Sequence, residues 1–213
     1  MNAFPLILSA PSGGGKTTIA RELLRRRGEL AYSVSCTTRS PRAGETDGAD
    51  YYFVTREEFQ RRQLEGEFAE WAVVHGNLYG TLRREITRML SAGRHVIMDI
   101  DVKGARQFRE AFPESICVFV LPPSAETLLE RLRNRKTESP QQLAARLDSA
   151  LQELQAVDEY DYVVVNDDLE RAVESVGCII DAEQFRRLRV HALRERVEHL
   201  ISRLQSEIDH HSL

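Results

Sequence analysis

A glycine-rich octapeptide, Ala10-Pro11-Ser12-Gly13-Gly14-Gly15-Lys16-Thr17, follows an apolar run at Leu6 to Ser9 and leads into a helical pattern from Thr17 to Arg27. Strand, loop, Lys-Thr and helix in that order are the context of a phosphate-binding P-loop. Glycines reach backbone conformations closed to other residues, so consecutive N–H groups can turn inward on one anion. The helix that follows adds unsatisfied N–H groups and the positive end of its dipole. Residues 10–17 and Thr18 are therefore the expected triphosphate cradle. Lys16 reaches the β- and γ-phosphates, and the Thr17 hydroxyl holds Mg²⁺. The first glycine of the pattern G-x-x-x-x-G-K-[ST] is Ala10 here, while the residues with chemical roles are intact. A flexible turn with an exposed lysine is the plain alternative, and it leaves the flanking strand and helix unexplained. By itself the motif specifies a nucleoside triphosphate and says nothing of the acceptor.

Around the loop, apolar β-branched runs alternate with helical patterns. Strands are expected at Tyr32 to Ser35, Tyr51 to Val54, Phe68 to Val74, His95 to Ile100, Ile116 to Leu121 and Tyr162 to Val165. Helices are expected at Glu57 to Glu65, Leu82 to Ala92, Ala125 to Asn134 with Ser124 as cap, and Pro140 to Val157. The near-continuous apolar strands suit a parallel sheet covered on both faces. The expected fold is α/β: a P-loop three-layer fold with a mostly parallel central sheet. Residues 34–81 break the rhythm and read as an inserted, small mixed α+β subdomain. One domain spans 1–213, with its core in 1–33, 82–125 and 157–180, a helical region in 126–156 and an amphipathic helix in 181–213.

In that last segment Val190, Leu193, Val197, Leu200 and Leu204 recur at spacings of three and four. The stripe predicts a helix docked on its own domain, with self-association as the other reading. About two heptads fall short of a coiled-coil signal.

Composition narrows the function classes. A net charge of −4 argues against a general nucleic-acid binder, and no run approaches the ~18 apolar residues of a membrane span. The N-terminus shows no secretory pattern. Cys36, Cys117 and Cys178 are dispersed and match neither a disulfide framework nor a zinc site, which points to a reducing, cytoplasmic setting. The histidines build no metal site either.

The stretch Ser35-Cys-Thr-Thr-Arg39-Ser-Pro-Arg42-Ala-Gly-Glu45-Thr-Asp-Gly-Ala-Asp-Tyr51-Tyr52-Phe53 carries two arginines three residues apart on a backbone fixed by Pro and Gly. Guanidinium forks match phosphate oxygens, and the hydroxyl of Tyr51 or Tyr79 could complete a clamp. An exposed loop with solvated arginines explains the same residues.

At this point the chain resembles the guanylate kinase family, whose pattern S-x-T-T-R-x-P-R-x-G-E-x-x-G-x-D-Y-x-F runs through Ser35 to Phe53. The likeness continues through Glu70-Trp71-Ala72, Gly76 to Thr81, Asp99-Ile100-Asp101-Val102-Lys103-Gly104, the arginines near 135, and Val165-Asn166-Asp167-Asp168. It implies a transferase moving the γ-phosphoryl group of ATP to GMP, with Mg²⁺ as the metal. It implies that 34–81 binds GMP: Arg39, Arg42, Tyr51 and Tyr79 hold its phosphate, Glu45 orients the arginines, and Ser35, Glu70 and Thr81 read guanine with Asp101 nearby. Asp99, at a strand end, is placed like the aspartate that helps hold Mg²⁺. The region 126–156 is implied to be a lid, with Arg131, Arg135 and Arg146 near the transferring phosphate, and Asn166 is implied to lie near the adenosine. A catalytically silent interaction module and a P-loop kinase for another acceptor, such as ribose 1,5-bisphosphate, are the competing readings. The arginine runs 25–27 and 186–189 are expected to be solvated.

Overall fold

The computed structural model describes residues 2–74, 76–133 and 140–211. β1 (Pro5–Ser9) leads through the glycine loop into α1 (Lys16–Arg26), and β2 (Leu30–Tyr32) follows. β3 (Cys36–Thr37), β4 (Tyr52–Phe53), α2 (Arg56–Leu64), β5 (Phe68–Val74) and β6 (Asn77–Leu82) form a second group. The chain returns through α3 (Arg83–Ser91), β7 (His95–Asp99), α4 (Val102–Ala111), β8 (Ile116–Leu121), α5 (Ala125–Arg133), α6 (Pro140–Leu154), β9 (Tyr162–Val165), α7 (Leu169–Gln184) and α8 (Leu193–His211).

The central sheet has the order β2-β7-β1-β8-β9 with every pairing parallel. All five residues of β1 are buried, because α1 and α7 cover one face and α3 and α4 the other. Each fully buried Leu or Ile there contributes roughly 1.5–3 kcal/mol. Parallel strands put all their C-terminal ends on one edge, where ligands of such sheets bind. Ser9, Tyr32, Asp99 and the approach to Asn166 meet on that edge.

The inserted segment makes a separate mixed sheet, β4-β3-β6-β5, around Cys36, Phe59, Phe68, Leu78 and Leu82. Gly80 is required in it, since a Cβ would lie 2.8 Å from the Phe68 ring and 3.0 Å from the Phe59 ring.

Several expectations change. Tyr32 belongs to β2 in the central sheet, not to a strand reaching Ser35, and the helix expected to reach Val157 ends at Leu154. The sequence pattern alone does not predict β6, α4 or α7. α7 buries Ala172, Val173, Val176 and Ile180 in the core that α1 and the central sheet share. The C-terminal stripe is not docked as expected: α8 buries none of its residues, Val197, Leu200, Ile201, Leu204 and Ile208 are exposed, and Val190 and Leu193 are half-buried. The arginine runs are only partly solvated. Arg27 ties α1 to the Gly177 carbonyl, 3.1 Å away, and to Asp181 on α7. Arg189 is buried, with its guanidinium 4.2 Å from the Phe4 ring centre and 3.3 Å from Glu183. A charge can be buried there because Glu183 and the Glu114 carbonyl satisfy it.

Candidate active site

The glycine loop closes by local bonds. Gly14 N–H donates to the Pro11 carbonyl at 2.7 Å, and Thr18 N–H to the Gly15 carbonyl at 3.1 Å. Gly15 caps α1 with φ 95°, a left-handed conformation that favours glycine. A Cβ there would also lie 2.3 Å from the Asn166 side-chain nitrogen. That nitrogen donates to the Gly14 carbonyl at 2.9 Å and is buried. Asn166 thus braces the P-loop from the end of β9, whereas the family likeness implied only a place near adenosine.

Strand-end geometry assembles the rest of the cradle. The Thr17 hydroxyl donates to Asp99 Oδ2 at 2.5 Å, and the Tyr32 hydroxyl donates to Asp99 Oδ1 at 2.8 Å. The C-terminal ends of β2 and β7 and the start of α1 therefore meet at a single carboxylate. A hydroxyl and a carboxylate are hard oxygen donors, the set that suits Mg²⁺. Among the described residues no group of three or more His, Cys, Asp or Glu is placed to hold a metal ion.

The helical region lies over this loop. Arg131 on α5 donates to the Asn166 carbonyl at 3.4 Å, and its buried Nη1 has no hydrogen-bond partner among the described residues. Gly13 packs beneath it, and a Cβ at Gly13 would lie 3.5 Å from the Arg131 Cβ. Arg146 on α6 donates to the Ser12 hydroxyl from Nε and Nη2 at 3.3 and 3.2 Å. Arg135 lies outside the described residues.

In the mixed sheet, Arg39 grips Glu45 through Nη1 and Nη2 at 3.0 and 2.8 Å, and Glu45 also accepts the Arg42 backbone N–H at 2.7 Å. Arg39 lowers the Glu45 carboxyl below its ordinary range. The Arg39 guanidinium stands 5.4 Å from the Tyr51 ring centre, and Tyr51 meets Tyr79 edge-on at 5.9 Å. Arg39, Glu45, Tyr51 and Tyr79 are brought together, while the Arg42 side chain is exposed.

Glu70 is 8% exposed on β5, and its Oε1 accepts the Thr81 hydroxyl at 2.6 Å from the neighbouring β6. Ser35 Oγ lies 3.4 Å from that hydroxyl. Burial pushes the Glu70 carboxyl upward, the Thr81 bond opposes the shift, and Asp101 adds to it. Asp101 caps α4 by accepting the Gly104 N–H at 2.7 Å, and a Cβ on Gly104 would lie 3.3 Å from Glu70 Oε2. Gln107 exchanges two 3.1 Å bonds with the Trp71 backbone, fixing β5 to α4 beside Glu70.

Sequence reasoning missed Tyr32, Gln107 and Glu153. The last accepts the Ser12 N–H at 2.9 Å through Oε2. Its signal was its place two turns beyond Arg146 on the same helix face; Tyr32 and Gln107 had none short of the folded chain.

The profile of the guanylate kinase family ("Guanylate kinase") matches residues 2–183. A guanylate kinase of Symbiobacterium thermophilum is 49% identical over 184 residues, covering 86% of this chain and 87% of that protein. One from Thermotoga maritima is 46% identical, covering 84% of this chain and 86% of its own length. The crystal structure of guanylate kinase from Anaplasma phagocytophilum superposes with a TM-score of 0.73 at 38% identity, covering 93% of this chain and 95% of that one.

Proposed function

The chain belongs to the guanylate kinase family and is an enzyme of that activity; from this premise we propose how its residues carry the transfer from ATP to GMP. The observation that carries the reading is Glu70. It is a buried carboxylate, bound by Thr81, that no ion pair holds among the described residues. Guanine presents N1–H and the N2 amine as adjacent donors for one carboxylate. Adenine offers no such pair, and a site built to hydrogen-bond rejects a ligand that leaves it unpaired.

Residues 34–81 form the GMP-binding subdomain in this proposal. Arg39 and Arg42 take the GMP phosphate with Tyr51 and Tyr79, and Glu45 holds Arg39 in place. Glu70, Thr81 and Ser35 read the base, with Asp101 behind them. Residues 10–18 take the ATP phosphates, and residues 126–156 form the lid.

The acceptor is already an anionic phosphate, so the residues have no strong base to supply. Their work is to align the two phosphates and to stabilise charge. Lys16 and the loop N–H groups hold the donor, while Arg131, whose buried Nη1 lacks a partner among the described residues, and Arg146 face the transferring group; Arg135 is assigned to the lid by the family likeness alone. Thr17 and Asp99 would hold Mg²⁺, which would supply charge neutralisation for the phosphates. Transfer is direct, with no covalent enzyme intermediate.

The test is ADP production from MgATP with GMP, AMP, dTMP and ribose 1,5-bisphosphate as separate acceptors. Turnover confined to GMP is expected. Turnover on another acceptor discards the guanine site, and GMP binding without turnover moves the chain to the silent module; neither rival has support among these relatives.

No helix among the described residues is long and apolar enough to cross a membrane. A cytoplasmic setting belongs to the same proposal, supported by nucleotide substrates and by the free thiols of Cys36, Cys117 and Cys178.

Self-association through α8 is also proposed. Antiparallel pairing about a midpoint between Leu200 and Ile201 sets Leu193 against Ile208 and Val197 against Leu204 of a second copy. The same alignment sets Arg194 against Glu207 and Glu198 against Arg203 of that copy, whereas in-register parallel pairing would set like charges together.

A further inference from the structure

Glu153 sits in the phosphate cradle without a role in the transfer described above. Its Oε2 accepts the Ser12 N–H at 2.9 Å, across 141 residues of chain. Ser12 belongs to the loop whose N–H groups turn toward an anion. Burial pushes the Glu153 carboxyl upward and Asp101 adds to the shift, while the Ser12 amide and the charge of Lys16 oppose it. An amide meant for a phosphate oxygen is thus occupied by a carboxylate oxygen of the lid.

On the same helix, seven residues earlier, Arg146 holds the other polar group of Ser12, its hydroxyl. Positions seven apart fall on one helix face, so α6 straddles Ser12 with one cation and one anion. A nucleotide phosphate arriving in the cradle attracts the first and repels the second. Beside Glu153 lies a cavity of about 170 Å³ that Lys103 and Arg106 help to line. Lys103 offers the displaced carboxylate a cation there, while Arg106 is held by Glu159 and Asp101 also lines the cavity.

We propose that Glu153 is a built-in competitor for the nucleotide: it occupies the Ser12 amide in the empty protein, and bound MgATP displaces it from the P-loop. The proposal rests on the P-loop being the ATP site. It gives the lid a reason to rest on the loop before ATP arrives, and it makes part of the intrinsic ATP affinity the cost of releasing the latch. A protein whose binding-competent state is only partly populated binds its ligand with an affinity reduced by that fraction.

The consequence has a sign opposite to that of a supporting residue. Glu153→Gln removes the like charge while keeping size and helix propensity. It should bind a magnesium complex of a non-hydrolysable ATP analogue at least about fivefold more tightly by titration calorimetry, since nearby like charges interact strongly in a partly buried site. GMP affinity should not change. Glu153→Ala, which cannot reach Ser12, should tighten binding at least as much. In the nucleotide-free protein it should also speed hydrogen exchange of the Ser12 amide. Equal or weaker analogue binding in both folded variants, or unaltered Ser12 exchange in Glu153→Ala, overturns the latch. Failure of the wild-type protein to bind the analogue overturns the P-loop assignment itself, and the latch with it.

Discussion

Arg39 and Glu45 form a two-point ion pair, with Nη2 2.8 Å from Oε1 and Nη1 3.0 Å from Oε2, across six residues of one loop. The pair closes the loop on itself, because Glu45 also takes the Arg42 N–H. Pre-orienting a guanidinium reduces the ordering needed when a phosphate binds. Glu45→Gln keeps the size and loses the paired geometry. We expect KM for GMP to rise about tenfold, the scale of one charge-assisted hydrogen bond, with kcat changed little. Initial-rate kinetics over a GMP series check this, and an unaltered KM removes Glu45 from the acceptor site.

Lys16→Ala should lower kcat by about 10²-fold or more, as expected for loss of a preorganised charge facing the transferring group. The fold should survive, since Lys16 lies on the loop edge of α1 and none of the core clusters includes it. Circular dichroism with the rate measurement separates the two effects. Near-normal turnover would refute the role given to Lys16.

Glu70→Gln should cut kcat/KM for GMP by roughly 10- to 10²-fold, because the paired acceptor is lost. Stability should move the other way. The folded protein holds the Glu70 carboxyl above its ordinary value of 4.5, chiefly by burial. A carboxyl raised on folding adds stability that is complete below the unfolded value and disappears as pH rises through the folded value. Near neutral pH the ionised group is therefore unfavourable in the empty protein, and the Gln variant should melt no lower than wild type without GMP. Recognition of guanine needs the ionised form, so wild-type GMP affinity should weaken as pH falls through the raised value. The Gln variant should lack that component. Identical pH profiles for the two proteins would send the search for the guanine reader elsewhere.

Asp99→Asn should raise the Mg²⁺ concentration needed for half-maximal rate and lower kcat by about tenfold at saturating Mg²⁺. The variant keeps the size of the side chain and one acceptor oxygen for the hydroxyls of Thr17 and Tyr32, which both bond to Asp99. The loop geometry should therefore be retained. A magnesium titration of the rate reads the effect directly. An unmoved titration curve would place the cation away from Asp99.

Removal of residues 191–213 should convert a self-associating protein into a monomer while leaving turnover within about twofold. Arg189 must be retained, because its buried pair with Glu183 closes the domain, and breaking such a pair costs about 3–5 kcal/mol. Light scattering of the full and shortened chains decides the point. Identical masses for the two, after allowing for the deletion, would leave the α8 stripe without the partner assigned to it.

The glycine loop can be read from sequence because its function is local: strand, three glycines, lysine, threonine and helix are contiguous, and a backbone cradle needs little else. The central strands are equally plain, since burial on both faces writes a continuous apolar run. The family likeness points to Glu70, Thr81, Asp101 and the Ser35–Phe53 loop without their geometry. Where a residue meets its partner depends on register, and register belongs to the tertiary structure. Glu70 meets Thr81 because β5 and β6 pair antiparallel with an irregularity after Phe68. Asp99 meets both Thr17 and Tyr32 because three parallel strands end on one edge. Asn166 braces Gly14 because β9 ends there as well. Arg189 and α8 show the limit from the other side. A charge run with a solvated pattern is partly buried, and an apolar stripe with the pattern of a docked helix stays exposed. Local pattern records which side chains need a partner, but only the packed chain decides which apolar faces are covered and which charges find a counter-ion close enough to be buried.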